Sequence, residues 1–128
     1  MFRRIDHVEL IPKDLDRTLA FYTEVLGFSV RSRKKMETAP MREVVYLELE
    51  DTVIEVLSVD APNPAPEGHF HLGFRGIALE VEDMDQSLVY LAERGITATW
   101  GPVDLGTFKR AEILDPDGLM IELREWKA

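Results

Sequence analysis

Two glutamates pose the first chemical question in this chain: Glu55 in "TVIEVLSV" and Glu122 in "LMIELREW". Glu55 has Val53 and Leu57 on its own strand face and Ile54 and Val56 on the other. Glu122 has Met120 beside it and Ile121 and Leu123 opposite. An isolated carboxylate in apolar surroundings is costly, so each must be protonated, ion-paired or coordinated to a cation. His7, in "RIDHVELI", shares a strand face with Ile5 and Glu9. Imidazole and carboxylate together make the mixed nitrogen and oxygen donor set that suits Ni, Co, Mn, Fe or Zn. His7, Glu55 and Glu122 are therefore the candidate metal ligands. If no cation is bound and the two acids lie close, their like charge raises one pKa, and a carboxylate so poised is a credible general base. Glu9 is a further acid on the His7 face, with a solvated strand position as its plainer role.

Composition narrows the remaining chemistry. The 128 residues suit one domain, with 45% hydrophobic and 30% charged residues. The chain has no cysteine, which excludes disulfides, thiolate ligands and thiol nucleophiles. A net charge of -9 repels nucleic acid and anionic membrane surfaces. The start "MFRRIDHVEL" has no apolar leader core, and no apolar run approaches membrane-spanning length, so the expectation is a cytoplasmic protein whose partner is a small molecule.

The elements that must position these groups come as a repeat. Leu10 falls on Leu79, Asp14 on Asp83, Asp16 on Asp85, Leu19 on Leu88 and Glu24 on Glu93, each pair 69 apart. Glu55 meets Glu122 at 67. Each copy opens with a strand, "IDHVELI" or "RGIALEV", and continues with a helix. Apolar stripes define the helices (Leu15, Leu19, Tyr22 and Leu26, then Met84, Leu88 and Leu91), with Asp14 or Asp16 and Asp83 or Asp85 as N-caps. Gly27 and Gly95 end them. Three strands follow in each copy: "FSVRSR", "EVVYLELE" and "TVIEVLSV", then "TATWG", "KRAEILD" and "LMIELRE", with "EDT" and "DPDG" as hairpin turns. The unit is βαβββ, occurring twice. Module one spans residues 1 to 60, a linker 61 to 71 that includes the proline-rich "APNPAPEG", and module two 72 to 128. A pseudo-twofold axis would bring both first and both last strands around one cavity, where His7, Glu55 and Glu122 converge.

The stretches "IDHVELIPKDLDRTLAFYTEVLGF", "VIEV", "GIALEVEDMD" and above all "GPVDLGTFKRAEILDPDGLMIELRE" resemble the vicinal oxygen chelate superfamily over nearly the whole chain. That superfamily includes glyoxalase I, methylmalonyl-CoA epimerase, extradiol dioxygenases and the fosfomycin and bleomycin resistance proteins. The resemblance implies an α+β fold in which two tandem βαβββ modules form a curved mixed sheet around a cavity. It also implies a divalent metal held by one residue from the first and last strand of each module, and a homodimer. The four ligand positions fall on His7, Glu55, Gly76 and Glu122. Three match the glyoxalase I pattern, and Gly76 stands where a histidine is expected. The activity implied is lactoylglutathione lyase-like proton abstraction next to a carbonyl, of lyase or isomerase type, with Glu122 or Glu55 moving the proton. An extradiol-type dioxygenase fits less well, because that chemistry uses two histidines and one carboxylate.

Gly76 leaves three possibilities open. A His, Glu, Glu set holds the cation with water or substrate in the fourth position. Alternatively His69 or His71, in "EGHFHLGF", takes the vacant place, for which a glycine leaves room. Or the metal is absent and the cavity binds an organic molecule, as resistance proteins of the superfamily do. On this reading Gly76→His restores metal affinity to an impaired site and spoils a repurposed pocket. Elsewhere, "RSRKK", residues 31 to 35, reads as a solvated loop or a contact for an anionic substrate group. Trp100 reads as a packing or cavity-mouth residue, and "METAPMRE" as a cover over the pocket.

Overall fold

The computed structural model describes residues 1–128, in two compact units, Met1–Ala65 and Pro66–Ala128. In the first unit β1 (Val8–Leu10) leads to α1 (Leu15–Ala20), which runs on into one π-helical turn, Phe21–Val25. Strands β2 (Ser29–Lys35), β3 (Met41–Leu49) and β4 (Thr52–Val59) follow, and the sheet order is β1-β4-β3-β2. The second unit repeats the plan with β5 (Gly76–Glu80), α2 (Met84–Ala92), β6 (Trp100–Asp104), β7 (Phe108–Leu114) and β8 (Met120–Trp126), in the order β5-β8-β7-β6. In each, the first strand lies parallel to the last and the other pairs are antiparallel. The parallel pair requires a crossover, and the helix supplies it. These are two four-stranded mixed sheets of βαβββ type.

Local chemistry explains the helix ends. Asp14 and Asp83, rather than Asp16 and Asp85, are the N-caps: their carboxylates accept from the Arg17 and Gln86 amides at 3.1 and 2.9 Å. Gly27 and Gly95 follow the helices with φ of +88° and +77°, a conformation that a side chain disfavours. Asp83→Ala is expected to lower stability by about 1 kcal/mol, read from chemical denaturation. The "DPDG" turn is built by Asp115, whose Oδ1 accepts from the Asp117 and Leu119 amides, both at 2.9 Å.

Alternation then sorts each sheet into two faces. Val45, Leu47, Ile54 and Val56 are buried with Leu19, Phe21, Tyr22 and Phe28 as the core of the first unit. Ala111, Ile113, Ile121 and Leu123 with Met84 and Leu91 do the same in the second. The apolar faces account for the fold, and the opposite faces are left for polar groups.

Three expectations need correction. "RSRKK" is not a loop but lies on β2, exposed along its length, because an edge strand can carry charge on both faces. Strand β6 begins at Trp100, so most of "TATWG" precedes it. The last three residues of "METAPMRE" are strand, since β3 starts at Met41. No helix is long and apolar enough to cross a membrane.

Candidate functional site

The register of the first sheet assembles its polar face. Glu9 on β1 pairs with Glu55 on β4, and Glu55 pairs with Tyr46 on β3, so the three side chains stand side by side across three strands. His7, two residues before Glu9, joins the same row. Ligand-capable atoms of His7, Glu9 and Glu55 all lie within 4.8 Å of one another. Two neighbours fix them. The Tyr46 hydroxyl donates to Glu55 Oε1 at 2.6 Å, and the Tyr46 ring meets His7 edge-on at 5.8 Å. His7 Nδ1 lies 2.9 Å from Asp6 Oδ2, which leaves Nε2 free.

Electrostatics in this row follow from two carboxyl groups competing for one proton. The hydrogen bond to Glu55, and then the Glu55 charge, raise the Glu9 pKa. The Glu55 pKa is lowered, because the hydrogen bonds from Glu9 and Tyr46 outweigh its burial. Of the two, Glu55 is the stronger acid, so a proton shared by the pair is held by Glu9 in preference to Glu55. Tyr46 is raised by its bond to the Glu55 carboxylate, and His7 by its bond to Asp6.

The donor set fits a divalent cation. One imidazole nitrogen and two carboxylates are close together, and a carboxylate on the far ring nitrogen is the usual outer support of a metal-bound histidine. His7 and Glu55 are thus brought together as the sequence suggests. Glu9 joins them, and its signal was its i+2 spacing from His7. Tyr46 gave no sequence signal, since its role depends on the β3–β4 register. Tyr46→Phe is expected to fold normally and to weaken divalent-metal binding about tenfold, measured by calorimetry.

The corresponding face of the second sheet is chemically different. The neighbours of Glu122 in register are Ala78 and Glu112, where Glu55 has Glu9 and Tyr46. Glu122 is 9% exposed and lies between two guanidinium groups: Arg110 Nε donates to Oε1 and Arg124 Nε to Oε2, each at 2.7 Å. The ion-paired option for a buried acid is realised here. Burial would raise the Glu122 pKa, but Arg110 and Arg124 outweigh it and hold the carboxyl below its ordinary range. Arg124 was legible in principle as the i+2 neighbour of Glu122. Arg110 was not, because it comes from β7.

Gly76 sits tightly against β8. A Cβ built there would lie 2.1 Å from the Met120 carbonyl oxygen. The glycine is therefore a close-approach residue, and the expectation that it leaves room beside itself is corrected. His71 Nδ1 lies 3.0 Å from the carbonyl of its neighbour Leu72, and His69 is exposed.

The Glyoxalase/Bleomycin resistance protein/Dioxygenase superfamily matches residues 4–123. The chain belongs to this superfamily. Among its relatives, the uncharacterized protein YaeR of Escherichia coli is 30% identical over 124 residues, 96% of each chain. A lactoylglutathione lyase of Salmonella typhimurium is 34% identical over 140 residues, 97% of this chain and 93% of its own. The crystal structure of a glyoxalase family protein from Enterococcus faecalis matches with a TM-score of 0.78 at 28% identity, covering 97% of this chain and 98% of that one. Superfamily membership brings the fold and a small-molecule ligand, and it spans more than one reaction.

Proposed function

We propose that this superfamily member is a divalent-metal enzyme of glyoxalase type, related to lactoylglutathione lyase, which moves a proton next to the carbonyl of a small substrate. The observation that carries the reading is the His7, Glu9, Glu55 group with Asp6 and Tyr46 behind it. The relative called lactoylglutathione lyase supports it. His7 and Glu55 would hold Ni, Zn, Co, Mn or Fe, with Glu9 beside them. When bound, the cation supplies Lewis-acid stabilisation of oxygen charge that develops as the carbon loses its proton.

The chain's own groups do the rest. Asp6 orients His7. Tyr46 fixes one oxygen of Glu55 and so limits its rotation. Glu55 takes the proton as the general base, and its hydrogen bond to Glu9 allows the pair to hold and return it. Glu122 was the other candidate ligand and base. To serve as either it must give up Arg110 or Arg124, since both its oxygens are engaged.

The test is elemental analysis of untagged protein purified without chelators and then loaded with each of these ions, with Glu55→Ala alongside. Near-stoichiometric metal, bound at least about 100-fold more weakly in the variant, is the expected result. Absence of binding in both would overturn the metal-dependent reading. A second reading, metal-free binding of a small molecule, is favoured by the arginine pair on Glu122, which leaves that carboxylate no free oxygen for a cation. It predicts ligand binding that a chelator does not alter.

A further inference from the structure

The segment that leads into β5 is turned inside out. Phe70, Leu72 and Phe74 are each at least 88% exposed, while His71 and Arg75, from the intervening positions, are half-buried. Polar contacts hold it in that sense: the Arg75 guanidinium stands 5.0 Å from the Phe70 ring centroid, and its Nη2 lies 3.6 Å from Glu112 Oε2. A lone exposed apolar side chain is ordinary and calls for no explanation. Three within five residues make a surface that water does not favour, and such surfaces mark places of interaction.

The first unit carries the same feature ahead of its own first strand. Met1, Phe2 and Ile5 are each at least 80% exposed. Met1 and Phe70, like Ile5 and Phe74, stand 69 residues apart, which is the offset of the βαβββ repeat. At roughly 200 Å² a side chain, the three phenylalanines of the two segments present about 600 Å² of apolar surface. Met1, Ile5 and Leu72 raise this to about the 800 Å² per partner that a standard protein interface takes.

We propose that these two apolar segments are the surface on which a second copy of this chain docks, with Phe70, Leu72 and Phe74 at its centre. The expectation of a homodimer named no surface, and these side chains assign one. A second copy suits both segments at once, because it brings to each an apolar surface of the same kind and area. A lipid bilayer suits them less, since a net charge of -9 opposes approach to an anionic membrane. The internal segment dominates because both its ends are anchored, whereas residues 1–5 have a free end and more freedom to lose on docking. Docking draws on apolar area alone and needs no metal at His7, Glu9 and Glu55.

Sedimentation of the full-length chain, with and without a chelator, is expected to show a dimer half-dissociated at about 1 μM in both conditions. Leu72→Ser combined with Phe74→Ser should raise that concentration at least about 100-fold. Val89→Ser, which removes an exposed apolar side chain from α2, should leave it unchanged. A second readout does not depend on the double variant. The chain has no cysteine, so Leu72→Cys places a single thiol, still a small apolar group, on the surface in question. Maleimide should label it about tenfold more slowly well above the dissociation concentration than well below it. A parent chain that stays monomeric at about 100 μM overturns the proposal, since an interface of this area would hold at that concentration. So does a dimer that the double variant forms as readily, or one in which the Leu72→Cys thiol reacts at one rate throughout, because the copies then meet elsewhere. A dimer that the chelator abolishes overturns it as well. Pelleting of the parent with phosphatidylcholine vesicles that is lost in the double variant would make a bilayer the occupant and likewise overturn it.

Discussion

Gly76→His is expected to lower stability by about 3 kcal/mol and to leave divalent-metal affinity no higher than in the parent chain. A histidine at this position would complete the superfamily's ligand pattern, so the naive expectation is a gain of metal. Geometry opposes it. The first side-chain atom already falls 2.1 Å from the Met120 carbonyl oxygen, and that oxygen belongs to backbone in the β5–β8 ladder, where Gly76 and Met120 are partners. Backbone in a parallel pair cannot rotate aside as a flexible side chain can, so the strands must part. Gly76→Ala shares the clash and should lose a similar amount, which separates backbone crowding from any effect of the imidazole. Chemical denaturation and calorimetric metal titration check both halves. A Gly76→His protein as stable as the parent and binding metal more tightly would contradict the close approach of β5 and β8.

Gly76 also shows what a single sequence discloses and what it withholds. The repeat placed it opposite His7, and its departure from the expected ligand was visible at once. The reason was not, because contact with Met120 depends on parallel pairing between segments more than forty residues apart. Features governed by near neighbours were legible: the Asp14 and Asp83 caps, the glycines after each helix, and the Asp115 turn. Strand β2 was legible only in part: "FSVRSR" reads as strand but the basic run to Lys35 reads as a loop, since two serines and four basic residues among its seven hide the alternation that marks a half-buried strand. The site was read in part for the same reason. His7, Glu9 and Glu55 were named from spacing and strand face, but the hydrogen bond between Glu9 and Glu55, which raises the Glu9 pKa, requires the β1–β4 register. Glu122 was recognised as a buried acid with a debt to settle. Its creditors, Arg110 and Arg124, lie directly opposite one another across β7 and β8, and only that register brings both to one carboxylate.

Glu122→Gln is accordingly expected to cost about 3 kcal/mol, because it removes the charge that two largely buried guanidinium groups share. The amide preserves shape and one acceptor, so no cavity forms, and its NH2 group is forced toward a donor of like polarity. The loss should depend on pH with a definite sign. Glu122 is held below its ordinary carboxylate range, since the two arginines outweigh the opposing effect of burial. Its unfolded form binds a proton more readily than the folded form, so its contribution is complete above the unfolded pKa and fades as pH falls through the lower folded value. Parent and variant should therefore differ by the full amount near neutrality and converge below about pH 4.5, the ordinary carboxyl value, with most of the convergence on the acid side of it. Denaturation curves of both proteins at a series of pH values make the comparison. A difference that persists unchanged into strong acid would mean that the loss arises from packing, and the ion pair would then not be what holds this face of the second sheet.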